Sequence, residues 1–173
     1  LTSITPLKKY PFQNIDYEGG FSMKGAKFIG SGSNEQNALL VFNREDKKFI
    51  VTSSKEYIIR KDRISSSRSA VKIYFEEDSI YHPGLIMKYI NEGKELSFLR
   101  EQNGLAKSPY FDSYHKLDLY FEALYWKMDQ PLIEMKMVKG IGEESSAVYE
   151  SSNYYSDQRW SKIQGIDEQN PLI

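Results

Sequence analysis

Apolar and polar residues alternate with a period of two in several short segments, and turn-forming residues separate these segments. In Ala70–Phe75, for example, Val71, Ile73 and Phe75 occupy every second position. Such alternation is typical of a β-strand with one buried face, because successive side chains on a strand point to opposite sides. The chain of 173 residues therefore predicts a mainly β fold, either an antiparallel sandwich or a short stack of β-layers.

Three pairs of apolar segments are predicted to form β-hairpins. A glycine or a polar run separates the two members of each pair, as a hairpin turn requires. The predicted hairpins cover residues 21–30, 38–52 and 85–100. The segment Ser65–Ser67 has arginines nearby on both sides, which predicts an exposed loop or a polar edge instead.

The segment Tyr114–Trp126 fits two patterns. Its odd-numbered positions form a mostly apolar face, which predicts one long strand. The spacing of Leu117, Tyr120 and Leu124 also fits a helix. We favour the strand because aromatic residues are dense in this segment and its neighbours are predicted strands.

The composition changes near residue 142. Residues 1–142 are predicted to form a β-rich domain, and residues 143–173 an acidic tail rich in Ser and Tyr. We expect the tail to be irregular, with a short helix beginning near Ser156. The chain does not begin with methionine and it ends on an apolar pair. We therefore expect it to be a piece of a longer protein whose downstream region follows the tail.

A weak internal repeat is a further possibility. Ile73–Glu76 and Leu119–Glu122 share the order apolar-Tyr-Phe-Glu, and each precedes a proline and a Leu-Ile pair. Chance similarity is the simpler explanation, because alternating strands share composition. A true repeat would favour stacked β-layers.

The composition also excludes several kinds of chemistry. The chain has no cysteine, which excludes a disulfide scaffold, a Cys-ligated metal site and a thiol nucleophile. Its 23 basic and 24 acidic side chains give a net charge of -1, so we expect no nucleic-acid partner. No apolar run reaches the roughly 18 residues of a membrane span, so we expect no transmembrane segment. We expect neither a cofactor nor a metal site.

The two histidines are the candidates for catalysis. A hydrolase would use His82 or His115 with a nearby aspartate, for which Asp78 is the local candidate beside His82. Structural roles are simpler, because a Pro-Gly pair after His82 is typical of a turn, and His115 lies on the apolar face of its predicted strand. A metal site built from both histidines with Asp78 or Asp112 lacks any familiar ligand spacing. We therefore expect no enzymatic activity and no catalytic residue.

Aromatic residues are unusually frequent, with 13 Tyr, 9 Phe and 2 Trp, and many of them lie within residues 110–126. Exposed Tyr and Trp side chains can stack on sugars or anchor a protein partner. Tyr114, Tyr120 and Trp126 are the candidate binding face. Packing in the core and between strands is the alternative for most of these residues.

Residues 47–72 are locally basic. Arg60, Lys61, Arg63 and Arg68 form a candidate basic patch for phosphates or for an acidic partner, including the acidic tail of this chain. A solvated face of strands, with charges that protect the sheet edge, is the plainer alternative.

Four segments resemble an internal stretch of large uncharacterised Bacteroidetes proteins. These segments are Gly19–Gly25, Phe28–Gly32, Asp78–Gly84 and Ser113–Trp126. The resemblance extends over most of residues 17–173. It implies no activity, cofactor or catalytic residue. It does imply a fragment of a long chain that is exported or associated with the cell envelope, a location that the residues themselves do not determine.

The function that we predict first is a non-catalytic structural or protein-interaction module of a larger chain. Its partners would be neighbouring domains of that chain or another protein. The first alternative is a glycan-binding module that uses exposed Tyr and Trp side chains. The second alternative is a hydrolase that uses His82 or His115 with a nearby aspartate.

Overall fold

A computed structural model describes residues 12–33, 35–101, 107–138 and 147–151. These residues form fourteen strands and no α-helix, and every strand pairing is antiparallel. The prediction of a mainly β, antiparallel fold is therefore confirmed. The strands are β1 (Ile15–Glu18), β2 (Gly20–Lys24), β3 (Lys27–Ser31), β4 (Ala38–Arg44), β5 (Lys47–Ser54), β6 (Glu56–Ile59), β7 (Arg63–Phe75), β8 (Asp78–Ile90), β9 (Glu95–Leu99), β10 (Tyr110–Asp112), β11 (Leu117–Tyr120), β12 (Ala123–Lys127), β13 (Ile133–Lys136) and β14 (Val148–Ser151).

The long hairpin β7–β8 organises the fold. Its two strands of 13 residues pair along their length, but the register shifts between Ser66 and Ser69 and again between Ser69 and Val71. The two halves of each strand have different outer neighbours. The first half of β7 pairs with β6 and its second half with β5. The first half of β8 pairs with β10 and its second half with β9.

The hairpin is therefore shared by two β-layers. Layer A contains, in order, β2, β3, β6, the first half of β7, the second half of β8, β9, β12 and β13. Layer B contains β1, β4, β5, the second half of β7, the first half of β8, β10, β11 and β14. Irregular pairing in the middle of long strands lets a sheet bend, so one hairpin can serve both layers of a sandwich.

Aromatic side chains from the two layers meet in the core. Phe49 of layer B packs edge-on against Trp126 of layer A, with ring centroids 4.7 Å apart. Phe42 of layer B lies 5.7 Å from Tyr89 of layer A. All four side chains are buried. Such contacts bury large apolar surfaces and hold the two layers together.

Buried hydroxyl groups occupy the place where the hairpin crosses between the layers. Ser66 Oγ lies 2.8 Å from Ser54 Oγ, and Tyr57 Oη lies 3.2 Å from Ser69 Oγ. The prediction that Ser65–Ser67 forms an exposed loop or a polar edge is wrong, because these residues lie within β7 and Ser66 is buried. The serines bond to one another and to backbone groups that the irregular ladder leaves unpaired.

The three predicted hairpins are present. They are β2–β3, β4–β5 and β8–β9. Glu45 and Asp46 join β4 to β5 with φ values of 52° and 59°. Two successive left-handed residues produce the turn whose twist matches the flanking strands.

The segment Tyr114–Trp126 contains two short strands, so the preference for strand over helix is correct but the single long strand is not. Residues 113–116 form a turn, and β11 follows in layer B. The chain then changes layers at Phe121 and Glu122 before β12 begins in layer A. The apolar spacing that resembles a helix arises because two strands with different buried faces follow each other.

The two segments of the suggested repeat occupy different places. Ile73–Glu76 ends β7 and enters the tight turn to β8, whereas Leu119–Glu122 ends β11 and leads into the other layer. The repeat is therefore not found in the architecture. Part of the predicted tail forms β14, which pairs with β11. The predicted helix near Ser156 lies outside the described residues.

Candidate functional site

A groove lies on the outer face of layer A, over β8, β9, β12 and β13, and its volume is about 610 Å³. Strand alternation creates this face. On β12, Leu124 and Trp126 point into the core, whereas Tyr125 and Lys127 point outward. Clefts of this size are suited to a small ligand or to a few units of a chain-like ligand.

Tyr125 lies in the central row of side chains across the groove. The strand registers pair Lys88 with Ser97, Ser97 with Tyr125, and Tyr125 with Glu134. The next row contains Ile90, Glu95, Lys127 and, beside them, Leu132. An aromatic ring is therefore surrounded by amine, hydroxyl and carboxylate groups, with apolar side chains along one border.

The ring of Tyr125 has a fixed polar neighbour. The Lys136 ammonium lies 5.5 Å from the ring centroid and also forms an ion pair with Glu134. Their hydrogen bond holds the pKa of the Glu134 carboxyl below its ordinary value and raises the pKa of Lys136. Both groups therefore remain charged near neutral pH.

A second ion pair crosses the groove between Lys127 Nζ and Glu95 Oε1, at 3.5 Å. Lys88 lies in the central row beside Ser97, whose hydroxyl donates to the Lys88 carbonyl at 3.2 Å. The groove thus presents several hydrogen-bond donors and acceptors whose charges nearly balance. Such a lining can hold a polar ligand without requiring that the ligand be strongly charged.

The predicted binding face is divided by the fold. Tyr114 lies on the turn after β10 and is 70% exposed, while Trp126 is 1% exposed in the core. The Trp126 indole Nε1 donates to the Gln130 carbonyl at 3.1 Å. Tyr120 is partly buried in layer B, with the Arg100 guanidinium 5.7 Å from its ring centroid. These three side chains therefore do not form one exposed surface.

Tyr125 is the functional candidate that the sequence analysis missed. It is 39% exposed, yet the apolar odd-numbered positions of its segment suggested a buried face. The large side chain of Trp126 was the signal that could have placed the even-numbered positions in the core instead. A large indole on a strand with one buried side gains most from the core.

His82 does not lie in a turn, so that prediction is wrong. It is a buried residue within β8, where the crossing hairpin continues through Pro83 and Gly84. The Gly84 N–H donates to Nδ1 at 3.0 Å, which leaves Nε2 to carry the proton and donate to the Ser108 carbonyl at 2.9 Å. Burial, together with the nearby Arg100 charge, lowers the pKa of His82 to about 4, although the bond to Ser108 opposes this shift. The imidazole is therefore neutral and structural.

His115 is exposed, contrary to the prediction that it lies on a buried apolar face. It belongs to the turn before β11, and its Nδ1 lies 2.7 Å from Asp112 Oδ2. Lys116, which follows it, has a φ of 56°. The turn conformation takes His115 out of the strand alternation that motivated the prediction.

The two histidines have no common site. Neither lines the groove, and Asp78 accepts a hydrogen bond from the Ser113 hydroxyl at 2.8 Å instead of facing His82. Within the described ranges, no three His, Asp or Glu side chains lie close enough together to hold a metal ion. The hydrolase alternative stays a prediction, with the pair of the exposed His115 and the partly buried Asp112 as its remaining basis.

Three of the four residues of the predicted basic patch lie together in the structure. Arg60, Lys61 and Arg63 lie together at the turn between β6 and β7, where the Arg60 N–H donates to the Arg63 carbonyl at 2.8 Å. Arg68 lies further along β7, at the irregular crossing. The rise of about 3.3 Å per residue in a strand separates it from Arg63 by about 16 Å.

The chain resembles a solved structure at low sequence identity. No family model and no curated protein matches the chain. One solved structure that matches is LptH of Pseudomonas aeruginosa, the LptA-homologous periplasmic component of a lipopolysaccharide transport device. The identity is 6% and the TM-score 0.49, over 79% of this chain and 94% of that chain. A likeness at this level supports no statement about function. Among the described residues no helical segment has the length and hydropathy needed to span a bilayer.

Proposed function

We propose that this chain is a non-catalytic carbohydrate-binding module whose site is the groove around Tyr125. The observation that carries the proposal is the exposed Tyr125 ring in the middle of a polar row. Sugars combine apolar C–H faces with many hydroxyl groups. An aromatic ring can stack against the C–H face while neighbouring polar side chains bond the hydroxyls.

The polar side chains around Tyr125 supply the second half of this recognition. Lys88, Ser97 and Glu134 lie in the same cross-strand row, so their polar ends surround the ring. The ion pairs Lys136–Glu134 and Lys127–Glu95 keep the charges of the groove close to balance. This balance favours uncharged or weakly charged sugars over strongly anionic ones.

Glycan-array screening followed by calorimetry of the best-bound sugar tests this proposal. We expect Tyr125→Ala to weaken binding about tenfold or more, which corresponds to about 1.4 kcal/mol. Tyr114→Ala is the matched control, because it removes an exposed tyrosine outside the groove and should leave the affinity unchanged. Absence of binding across a broad glycan panel, or equal affinity of the Tyr125→Ala variant, would contradict the proposal.

A second candidate function is protein interaction through the outer face of layer B. Tyr81 and Phe111 are cross-strand neighbours on this face, and both are substantially exposed. Lys72 pairs with Tyr81, and Asp118 pairs with Phe111, so a charge borders each side of the aromatic pair. An aromatic centre with a polar rim is typical of the energetic centre of a protein interface.

Affinity capture with matched variants tests this second candidate. A partner should be retained by the unmodified chain and by Tyr114→Ser, and lost by the double variant Tyr81→Ser, Phe111→Ser. Retention of the same partner by the double variant would show that this face does not bind it. Export or association with the cell envelope remains a proposal that comes from the sequence resemblance alone.

A further inference from the structure

We propose that one end of layer A binds the surface of an anionic lipid bilayer. The surface consists of the β2–β3 hairpin and the basic turn between β6 and β7. It lies in the half of layer A away from β9, β12 and β13, so it is independent of the carbohydrate groove. Three observations support the proposal: a projecting hairpin, an exposed apolar row and a row of cations.

The β2–β3 hairpin projects from the body of the protein. Every residue from Phe21 to Phe28 is exposed. Within the described ranges β2 pairs with β3 alone, and β3 pairs with β6 on its other side. Gly25 takes a left-handed φ of 62° at the tip, which allows the tight turn. The hairpin is therefore available to a large flat partner.

The hairpin is amphipathic. Phe21 and Met23 lie on the same side of β2, and Phe28 is the cross-strand neighbour of Met23. Phe21 is 54% exposed and Met23 69% exposed. On the opposite side, Lys24 is the cross-strand neighbour of Lys27. An isolated exposed apolar residue needs no explanation, but three on one face of a projecting hairpin indicate an interaction surface.

The lysines of the hairpin continue into the predicted basic patch. Phe28 pairs with Ile59, which places Lys27 beside Arg60. Arg60 in turn bonds through its backbone to Arg63 on β7. One cross-strand row along the end of layer A thus contains Lys24, Lys27, Arg60 and Arg63, and Lys61 lies on the adjoining turn.

Little negative charge offsets this row. Residues 20–33 contain no Asp or Glu. In the part of the chain that the structure describes, Arg63 is the one member of the row that forms an ion pair, with 3.9 Å between its Nε and Asp62 Oδ2. The surface therefore carries a local positive charge although the whole chain has a net charge of -1.

The apolar row and the cation row lie on opposite sides of a thin hairpin, so an anionic bilayer that meets the end of the hairpin edge-on contacts both. Basic side chains are attracted to the negative headgroups, and exposed aromatic and Met side chains enter the boundary between headgroups and acyl chains. Free phosphate or a soluble polyanion would use the cations but leave the apolar row without a role. A lipid surface uses both rows.

Vesicle co-sedimentation tests the proposal. We expect the unmodified chain to bind vesicles of phosphatidylcholine mixed with phosphatidylglycerol, and to bind pure phosphatidylcholine far less. The double variant Lys24→Gln, Lys27→Gln should bind the mixed vesicles on the order of tenfold more weakly. Lys47→Gln, Lys48→Gln is the matched control, since it removes two exposed lysines of another hairpin and should bind as the unmodified chain does.

The apolar row has its own test. Phe21→Ser, Met23→Ser should also weaken binding about tenfold, and Tyr114→Ser should not. In a Phe21→Trp variant, brominated lipids should quench fluorescence more than in the unmodified chain. Equal binding to both vesicle types would overturn the proposal, as would binding that depends on the lysines but not on Phe21 and Met23. Absence of vesicle binding, with or without a protein partner on the hairpin, would also overturn it.

Discussion

The ring of Tyr17 packs directly on the backbone of Gly30. A Cβ placed on Gly30 would lie 2.8 Å from the Tyr17 Oη and 2.9 Å from its Cε2 and Cζ. Tyr17 belongs to β1 of layer B and Gly30 to β3 of layer A. The Tyr17 hydroxyl also donates to the Gly20 carbonyl, which keeps the ring in place. This contact therefore joins the outer parts of the two layers and requires the absence of a side chain at position 30.

Gly30→Ala should lower the free energy of unfolding by about 1–3 kcal/mol, the usual cost of inserting a methyl group into a packed site. Urea denaturation of the two proteins measures the difference. Gly20→Ala is the matched control on the same hairpin, because a Cβ there would meet its nearest neighbour at an ordinary 3.5 Å. Equal losses for the two variants would show that the ring does not restrict position 30.

Burial of the neutral His82 should make the protein less stable in acid. Its pKa is lowered from 6.5 to about 4, so between these values the unfolded chain binds a proton that the folded protein excludes. The free energy of unfolding should therefore fall as the pH falls from about 6.5 to about 4, and this contribution should be complete above about 6.5. This pKa shift corresponds to a contribution on the order of 3 kcal/mol to the free energy of unfolding.

Carboxyl groups titrate in part of the same pH window. The contribution of His82 is therefore measured by comparing a His82 variant with the unmodified chain. Urea denaturation at several pH values should show a weaker pH dependence for His82→Gln than for the unmodified chain. Identical slopes for His82→Gln and the unmodified chain would contradict the proposed cause.

Truncation should lower the stability of the protein far more at Trp126 than at Tyr125. Trp126→Ala removes a buried ring that packs on Phe49 and should cost about 3–5 kcal/mol of unfolding free energy. Tyr125→Ala removes an outward-facing ring and should cost less than about 1 kcal/mol. Thermal unfolding of both variants measures the difference. A large loss of stability for Tyr125→Ala would mean that its ring supports the fold more than it serves a ligand.

The Tyr57 hydroxyl should contribute to stability at the layer crossing. It lies 2.9 Å from Thr52 Oγ1 and 3.2 Å from Ser69 Oγ, and burial raises its pKa to about 12. Tyr57→Phe leaves these hydroxyls with one partner fewer and should cost about 1–2 kcal/mol. Tyr114→Phe is the exposed control. A neutral effect of Tyr57→Phe in urea denaturation would show that the hydroxyls rearrange at no cost.

The sequence predicts the local strands of this protein better than their arrangement. The turn at Glu45 and Asp46 separates two strand-like runs, so the β4–β5 hairpin follows from neighbouring residues. The crossing of β7 and β8 between the layers does not follow from neighbouring residues, because its buried serines have the composition of a loop. Their partners are Ser54 and Tyr57, 12 residues earlier in the chain, and the Arg68 backbone. Such bonds make hydroxyls acceptable in a core.

For the candidate site, too, the sequence predicts the local pattern better than the arrangement of the strands. Tyr114, Tyr120 and Trp126 were predicted to form one exposed face; Tyr114 is exposed, but Trp126 is buried, because a strand displaced by one position reverses every buried and exposed side. The break at Phe121 and Glu122 introduces that displacement between β11 and β12. The cross-strand row of Lys88, Ser97 and Glu134 around Tyr125 depends on the pairing of four strands, which no local pattern specifies.

Chemical-shift mapping of the tyrosine rings during titration with the best-bound sugar is the most direct test of the carbohydrate site. The ring signals of Tyr125 should shift progressively and saturate, while those of Tyr114 and the buried Tyr57 should remain unchanged. Saturable binding that shifts other rings and leaves Tyr125 unaffected would contradict a site in this groove.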